Sequence, residues 1–441
     1  MKILVIGGGA REHAICKAVS RSDADLYAIM KNSNPGIKKL ARDFCLQNET
    51  NVDKVLSYAR SKKIDLAIVG PEAPEEAGVT NTLEADGIKV ASPTREAAEI
   101  ETNKEFMRNL MEKYGIKGML KSRAFSDAKG AKEFIEMLDG EVAIKPVGLT
   151  GGKGVRIAGD HFRSIEDAIG YAEDVISKKI GGKARVLIEE KAVGEEFTLQ
   201  TFCDSFTIVP TPAVQDHKRL LPGDRGPNTG GMGSYSDASG ILPFMDRNDY
   251  EEAVAILQRI IDAMHSEGRP YRGAIYGQFM LTNEGPKVIE INARWGDPEA
   301  MNILPLLRTD FVDITMAMVE GTLSRKKMDL EKKSTVCKYV VPEGYGVNSL
   351  DGKKISVDED RIKKSGGQLF YASVDERDGN VYTTKSRSLA VVGIADKIDD
   401  AEVICEDCLK HVKGEHVFIR HDIGKRELIQ KRIEHMRMLR G

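Results

Sequence analysis

No apolar run in this chain reaches the roughly 18 residues that a membrane-spanning helix needs. The longest, around Ile3–Ile6, is the size of a strand. Neither sign of charge dominates. A formal net charge of −3 removes any global attraction to nucleic acid or to an anionic membrane. Cysteine is sparse, six scattered over 441 residues, which argues against a disulfide scaffold and fits a reducing compartment. Cys405 and Cys408 form a Cys-x-x-Cys with no second pair to complete a metal site; they read as two helix positions one turn apart. The opening Met-Lys-Ile-Leu-Val-Ile runs straight into glycines without the shape of a secretory signal. The expectation is therefore a cytoplasmic protein with small-molecule partners, no nucleic acid and no membrane. Repeats and low-complexity segments are also missing.

What is present is the composition of an ordinary globular chain, 41% hydrophobic and 30% charged, long enough for about three domains. Strand and helix patterns alternate from residue 2 to about 100: strands near 2–6, 26–30, 64–69 and 88–90, with a helix near 52–61. This implies a doubly wound parallel sheet. Residues 95–114 read as helical. Strands follow near 142–145, 155–158 and 186–190, then a helix near 247–266. Residues 287–292 read as a strand because Val288, Ile289 and Ile291 are β-formers. A helix near 310–320 precedes a polar linker. Beyond it come strands near 336–341, 368–374 and 389–395, a helix, and a basic helical tail over 424–440 that reads as a solvated face.

Three stretches carry chemistry. In the 287–292 strand, Glu290 and Asn292 are two apart and so share a face. Arg294 follows where Gly296-Asp297-Pro298 breaks the strand. Oxygen ligands beside an arginine suit a magnesium-bound, phosphate-transferring site.

The second stretch is Lys145-Pro146-Val147-Gly148-Leu149-Thr150-Gly151-Gly152-Lys153-Gly154. A Walker loop needs glycine at 147 and Ser or Thr at 154; Val147 and Gly154 stand there instead. What remains is a lysine at a strand end and a second lysine among glycines, whose amides can approach phosphate closely. In the third, an apolar strand ends at Glu189-Glu190, continues through Lys191 and Ala192, and reaches Glu196. The N-terminal turn Gly7-Gly8-Gly9 fails the dinucleotide fingerprint, because Glu12 occupies the third glycine position. It remains either a tight turn or, with Arg11 at a helix start, a site for a small phosphate.

Lys104, Lys145, the 151–154 loop, Glu189 to Glu196 and the Glu290-x-Asn292 strand occur in the order found in the ATP-grasp superfamily. Further strings narrow the resemblance: Gln215-Asp216-His217-Lys218-Arg219, Gly226 to Gly233, Gly70-Pro71-Glu72, Asn292 to Glu299, and Arg420-His421-Asp422. Together they resemble the phosphoribosylamine–glycine ligase family over essentially the whole chain. Gln278 stands where many members of the superfamily carry an acid.

The resemblance implies an α/β and α+β multidomain protein with an ATP-grasp fold. It would have an N-terminal doubly wound domain over 1–103, an ATP-grasp domain over 104–325 with a lid about 121–190, and a small α+β domain over 326–441. It implies a ligase joining glycine to 5-phosphoribosylamine with ATP, with Mg²⁺ or Mn²⁺ as cofactor, acting as monomer or homodimer. By the same resemblance Arg294 and Lys145 are catalytic. Lys104, Lys145, Gly151, Gly152, Lys153, Gly154, Glu189, Glu190, Lys191, Ala192 and Glu196 bind ATP, and Gln278, Glu290 and Asn292 hold metal. Gly9, Arg11, Glu12, Glu72, Asp216, His217, Lys218, Asn228, Thr229, Gly230, Gly231 and Asp297 meet the other substrates. His217 is the one candidate for a general base among them, unless it is simply a loop histidine.

Overall fold

In the N-terminal part, five strands lie parallel in the order Asp43–Leu46, Asp25–Met30, Lys2–Ile6, Leu66–Val69, Lys89–Val90. The computed structural model describes residues 1–148 and 154–441. The central strand Lys2–Ile6 is almost entirely buried, as its unbroken apolar run requires when helices cover both faces. Strand order reverses between Lys2–Ile6 and Leu66–Val69, and the turns after these two strands face one crevice, the usual ligand position in such sheets. Glu12 fills the bottom of it, accepting from the Gly9 amide at 2.6 Å. A side chain at Gly70 would overlap the Glu12 carboxylate, so only glycine fits there.

The sequence reading merges residues 95–114. The structure divides them into helices Arg95–Thr102 and Lys104–Lys113, because Asn103 leaves the helical conformation and caps the second through the Phe106 amide. Residues 122–190 form a four-stranded sheet ordered Ser122–Phe125, Val186–Glu190, Val142–Pro146, Arg156–Ile157. It has a core of its own, including Phe134, Ile144, Phe162, Tyr171 and Ile188.

A ten-stranded sheet forms the body of the molecule. Its main path runs Gly285–Asn292, Arg272–Thr282, Glu195–Asp204, Val214–Asp216, Gly233–Ser236, Ser334–Pro342, Leu389–Ala395, Gln368–Tyr371. The strands from the last hundred residues thus extend the same sheet that carries Glu290. They join through Gly233–Ser236, which pairs with Ser334–Pro342. Helix Arg247–Ser266 covers one face, started by an Asp246–Asp249 capping box. Cys405 and Cys408 lie buried one turn apart on helix Ile398–Leu409.

The basic tail corrects the sequence reading. Helix Arg426–Arg440 is not simply a solvated face. Arg432 Nη1 lies 3.0 Å from Glu195, His435 Nδ1 lies 2.6 Å from the same carboxylate, and Arg440 Nη2 lies 2.7 Å from Asp249. Buried acids far away in sequence, Glu195 on a strand and Asp249 in the first turn of helix Arg247–Ser266, dock it. Among the described residues, no helix is long and apolar enough to cross a membrane.

Candidate active site

One cavity of about 670 Å³ opens between the four-stranded sheet, the central sheet and the N-terminal crevice. Its wall is the Gly285–Asn292 strand. Asn292 Nδ2 lies 3.5 Å from Glu290 Oε1, so the two share a face. A register shift occurs opposite Gln278 and Phe279, and Ile289 is the unpaired extra residue. Such a bulge frees a backbone carbonyl. Here the Ile289 carbonyl accepts from Lys145 Nζ and from Arg108 Nη2, each at 3.1 Å. The bulge therefore ties the wall that carries Glu290 and Asn292 to the lysine opposite.

Lys145 is set by a buried acid. Glu189 is fully buried, with Lys145 Nζ and Arg108 Nε each 2.6 Å from its oxygens. Burial pushes the Glu189 carboxyl up, but Arg108 and Lys145 outweigh it and hold it below the ordinary glutamate value. Lys104 lies beside this group, its Nζ 3.4 Å from the Gly148 carbonyl. Burial, with Lys145 as a like charge, pulls its pKa down despite Glu290. Gly151, Gly152 and Lys153 lie outside the described residues. The Gly154 carbonyl accepts from the Tyr171 hydroxyl at 2.8 Å.

Glu190, Lys191 and Ala192 line the cavity as an extended connection between the four-stranded sheet and the central one. Lys191 is held by Glu141 at 3.0 Å. Met107, Leu120, Ala143 and Met280 give this end apolar surfaces, suited to a flat aromatic base. Glu196 accepts from Gln278 Nε2 at 2.9 Å, while Lys218 Nζ donates to Gln278 Oε1. Both ends of the Gln278 amide are thus engaged, while Glu290 and Asn292 line the cavity beside it. Burial raises the Glu290 carboxyl, but Lys218, Lys104 and Lys145 more than offset it, so it stays ionised. A carboxylate beside an amide oxygen, facing a lysine-rich pocket, fits a divalent metal carried by a nucleotide.

Arg294 joins side chains from three parts of the chain. It lies 3.4 Å from Glu72 and 3.2 Å from Glu101, and donates to Asn292 Oδ1 at 3.3 Å. Glu101 in turn accepts from the Ala293 amide at 2.6 Å. Burial works against the guanidinium charge, but Glu101 and Glu72 overcome it.

On the substrate side the residues separate. Arg11, Glu72, Asp216, His217, Lys218, Asn228, Thr229, Gly230 and Asp297 line the cavity. Gly9, Glu12 and Gly231 do not. Glu12 is spent on the Gly9 amide and on Arg11 Nε, at 2.6 Å. Gly231 packs on Asp216, leaving a Cβ there only 2.6 Å from its Oδ1. His217 Nδ1 lies 3.3 Å from Asp224, and its buried Nε2 has no hydrogen-bond partner among the described residues. Burial lowers its pKa even against Asp224, which favours the neutral ring.

Several residues of this region escaped the sequence reading. Arg387 comes from the last third of the chain, bonds the Gly230 carbonyl at 2.5 Å and pairs with Asp297 at 3.1 Å. Arg432 bridges Glu195 and Asp224. Arg108, Glu101 and Glu299 were also missed. Glu299 ends the Asn292 to Glu299 string without having been given a role; Arg387, Arg432, Arg108 and Glu101 stand in no local motif, and each acts through partners far away in sequence.

Comparison with known proteins agrees with this geometry. Three consecutive stretches match phosphoribosylglycinamide synthetase: the N domain over residues 1–101, the ATP-grasp (A) domain over 102–300 and the C domain over 335–426. The phosphoribosylamine–glycine ligase of Methanothermobacter thermautotrophicus is 52% identical over 441 residues, covering all of both chains. That of Methanocaldococcus jannaschii is 51% identical over 445 residues, again covering both completely. The crystal structure of the Thermotoga maritima phosphoribosylamine–glycine ligase superposes with a TM-score of 0.81 at 27% identity, over 96% of this chain and 100% of that one. A biotin carboxylase from Campylobacter jejuni shares the fold, with a TM-score of 0.73 at 14% identity over 99% and 98% of the two chains. The chain belongs to the phosphoribosylamine–glycine ligase family of ATP-grasp enzymes.

Proposed function

We propose that this chain joins glycine to 5-phosphoribosylamine in the cytoplasm, as monomer or homodimer. The products are glycinamide ribonucleotide, ADP and phosphate, a step of purine biosynthesis. A glycine carboxylate oxygen attacks the γ-phosphorus of ATP, the bond to the ADP oxygen breaks, and glycyl phosphate forms. The amine nitrogen of phosphoribosylamine then attacks the glycyl carbonyl carbon. Phosphate leaves, and the nitrogen gives up a proton.

The first step brings two anions together, so the residues must neutralise charge where it develops. Lys104 and Lys145 carry the phosphates, with Lys153 and the 151–154 loop assigned to them from sequence. Glu190 to Ala192 face the base and Glu196 the ribose. Arg294 holds the transferring phosphoryl group and the acyl phosphate. Glu290 and Asn292 would hold Mg²⁺ or Mn²⁺, which withdraws charge from the β- and γ-phosphates when bound. The lid at 121–190 excludes water from the acyl phosphate.

The observation that carries this reading is the placement of Glu290, Asn292 and Arg294 on one wall, facing a lysine that Glu189 fixes from behind. The test is ADP release. It should require both glycine and phosphoribosylamine; release with bicarbonate in place of glycine would overturn the reading.

A further inference from the structure

An acid without a partner stands behind the wall that holds Arg294. Glu75 is 1% exposed, and neither of its carboxyl oxygens has a hydrogen-bond partner among the described residues. Glu72 and Glu101 line the cavity, and Glu75 does not. Three residues separate Glu75 from Glu72 on helix Glu72–Ala77, so the two share one side of it. That helix packs against Arg95–Thr102, which carries Glu101. A buried ionised carboxylate with no donor is costly in such a place.

The groups around Glu75 are already engaged. Arg294 meets Glu72 and Glu101, and Arg11 meets Glu12. Arg95, on the packed helix, donates to the carbonyls of Glu76 and Ala77. The Tyr271 hydroxyl donates to the Ala274 carbonyl. Burial pushes the Glu75 carboxyl well up, Glu101 and Glu72 add to this as like charges, and Arg294 and Arg11 offset only part of it. Burial raises Glu101 as well, against Arg294. Glu101, however, has Arg294 and the Ala293 amide to hold its charge. Of the two acids, the proton belongs on the one without donors, so Glu75 is the neutral acid at neutral pH.

We propose that Glu75 is a positioning residue: kept neutral, it lets Glu72 and Glu101 hold Arg294 where the phosphoryl group is transferred. The proposal rests on the ligase reading and deepens it. Arg294 Nε lies 3.4 Å from Glu72 but has no hydrogen-bond partner among the described residues. An ionised Glu75 would be a third carboxylate competing for this guanidinium, from outside the cavity. It would repel Glu101 and draw Arg294 away from Asn292. Because Glu75 is not part of the cavity wall, its effect passes through Glu101 and Arg294.

The test compares Glu75→Gln with the parent in two measurements. A carboxamide has nearly the size of the neutral acid and cannot ionise. The first measurement is ADP formation by rapid quench against pH, with ATP, glycine and phosphoribosylamine saturating. The parent rate should fall at least ~10-fold by about pH 9.5, as Glu75 loses its proton and one electrostatic donor is displaced. In Glu75→Gln that fall should vanish or move up by at least about 1 pH unit. A role in packing alone would leave the profile where it was. The second measurement is the infrared difference between the two proteins near neutral pH. It should contain the carbonyl stretch of a protonated carboxylic acid. Carboxylate bands in its place, a parent rate flat to about pH 9.5, or the same alkaline fall in both proteins overturns the proposal and leaves the ligase reading intact. A parent without glycine-dependent ADP release overturns the ligase reading and the role of Glu75 with it, while the infrared band still reports the neutral acid.

Discussion

Glu189 and Lys145 meet at 2.6 Å with no more than 5% of either side chain exposed. Arg108 completes the group from the other side of the carboxylate. The arrangement turns a mobile lysine into a fixed one. Its ammonium is held by a buried acid below and by the carbonyl freed at the Ile289 bulge, leaving its remaining donor capacity for a ligand.

Glu189→Gln should therefore be severe. It leaves two buried cations without their shared counter-charge, a class of change that costs about 3–5 kcal/mol. The expected result is a clear fall in the urea midpoint together with a raised KM for ATP; an unchanged midpoint would show that the group contributes no stability. The pH dependence has a definite sign. The folded-state pKa of Glu189 is depressed, so its contribution is present above the ordinary glutamate value and is lost as pH falls through the depressed one. Acid unfolding of the parent should carry this loss, and Glu189→Gln should flatten it.

Arg432→Ala tests the docked tail. Arg432 connects Glu195, beside the cavity-lining Glu196, with Asp224, which holds His217. Removing it leaves the 5%-exposed Glu195 side chain with His435 alone, at a cost of about 2 kcal/mol for a charged partner lost. Urea unfolding should register that loss. ATP affinity should weaken as well, because Glu195 and Glu196 are neighbours on one strand. If both stay at parental values, the tail is only a surface feature.

These two cases show what the sequence could and could not reveal. Glu290 and Asn292 are readable because a two-residue spacing on a strand fixes their common face. The 2–6 strand, its glycine turn and the 247–266 helix are readable for the same local reason. Arg432 is one arginine among several in a charged tail, and its partners lie more than 200 residues away. Arg387 and Arg108 are likewise single residues whose meaning arises only when the sheet brings their acids to them. The continuation of the central sheet into the last hundred residues depends on the pairing of Gly233–Ser236 with Ser334–Pro342, a long-range register that no local pattern encodes. The Ile289 bulge is similar: it exists only relative to the facing strand.

Arg294→Lys should lower turnover at least ~10²-fold, the usual cost of removing one well-placed electrostatic donor. The guanidinium spans Glu72, Glu101 and Asn292 at once. An ammonium is a single point and cannot keep that fork. Rapid-quench measurement of ADP formation separates this chemical step from product release. Near-parental rates in the variant would remove Arg294 from the transition state.

Metal affinity should depend on nucleotide. Among the described residues, no group of three or more His, Cys, Asp or Glu side chains is placed to hold a metal ion. Glu290 is the one carboxylate on its stretch of wall, Asn292 is neutral, and Gln278 is engaged by Lys218 and Glu196. Mg²⁺ needs about six oxygens, so most must come from phosphate and water. Titration of Mn²⁺, followed by loss of the free-ion resonance, should show at least ~10-fold weaker binding to the protein alone than with a non-hydrolysable ATP analogue present. Equal affinity in the two titrations would mean that the protein supplies a ligand set beyond Glu290 and Asn292. Asn292→Asp sharpens the comparison. A second carboxylate beside Glu290 should strengthen nucleotide-free binding and narrow the gap, because the two negative charges would then attract the ion without help from phosphate.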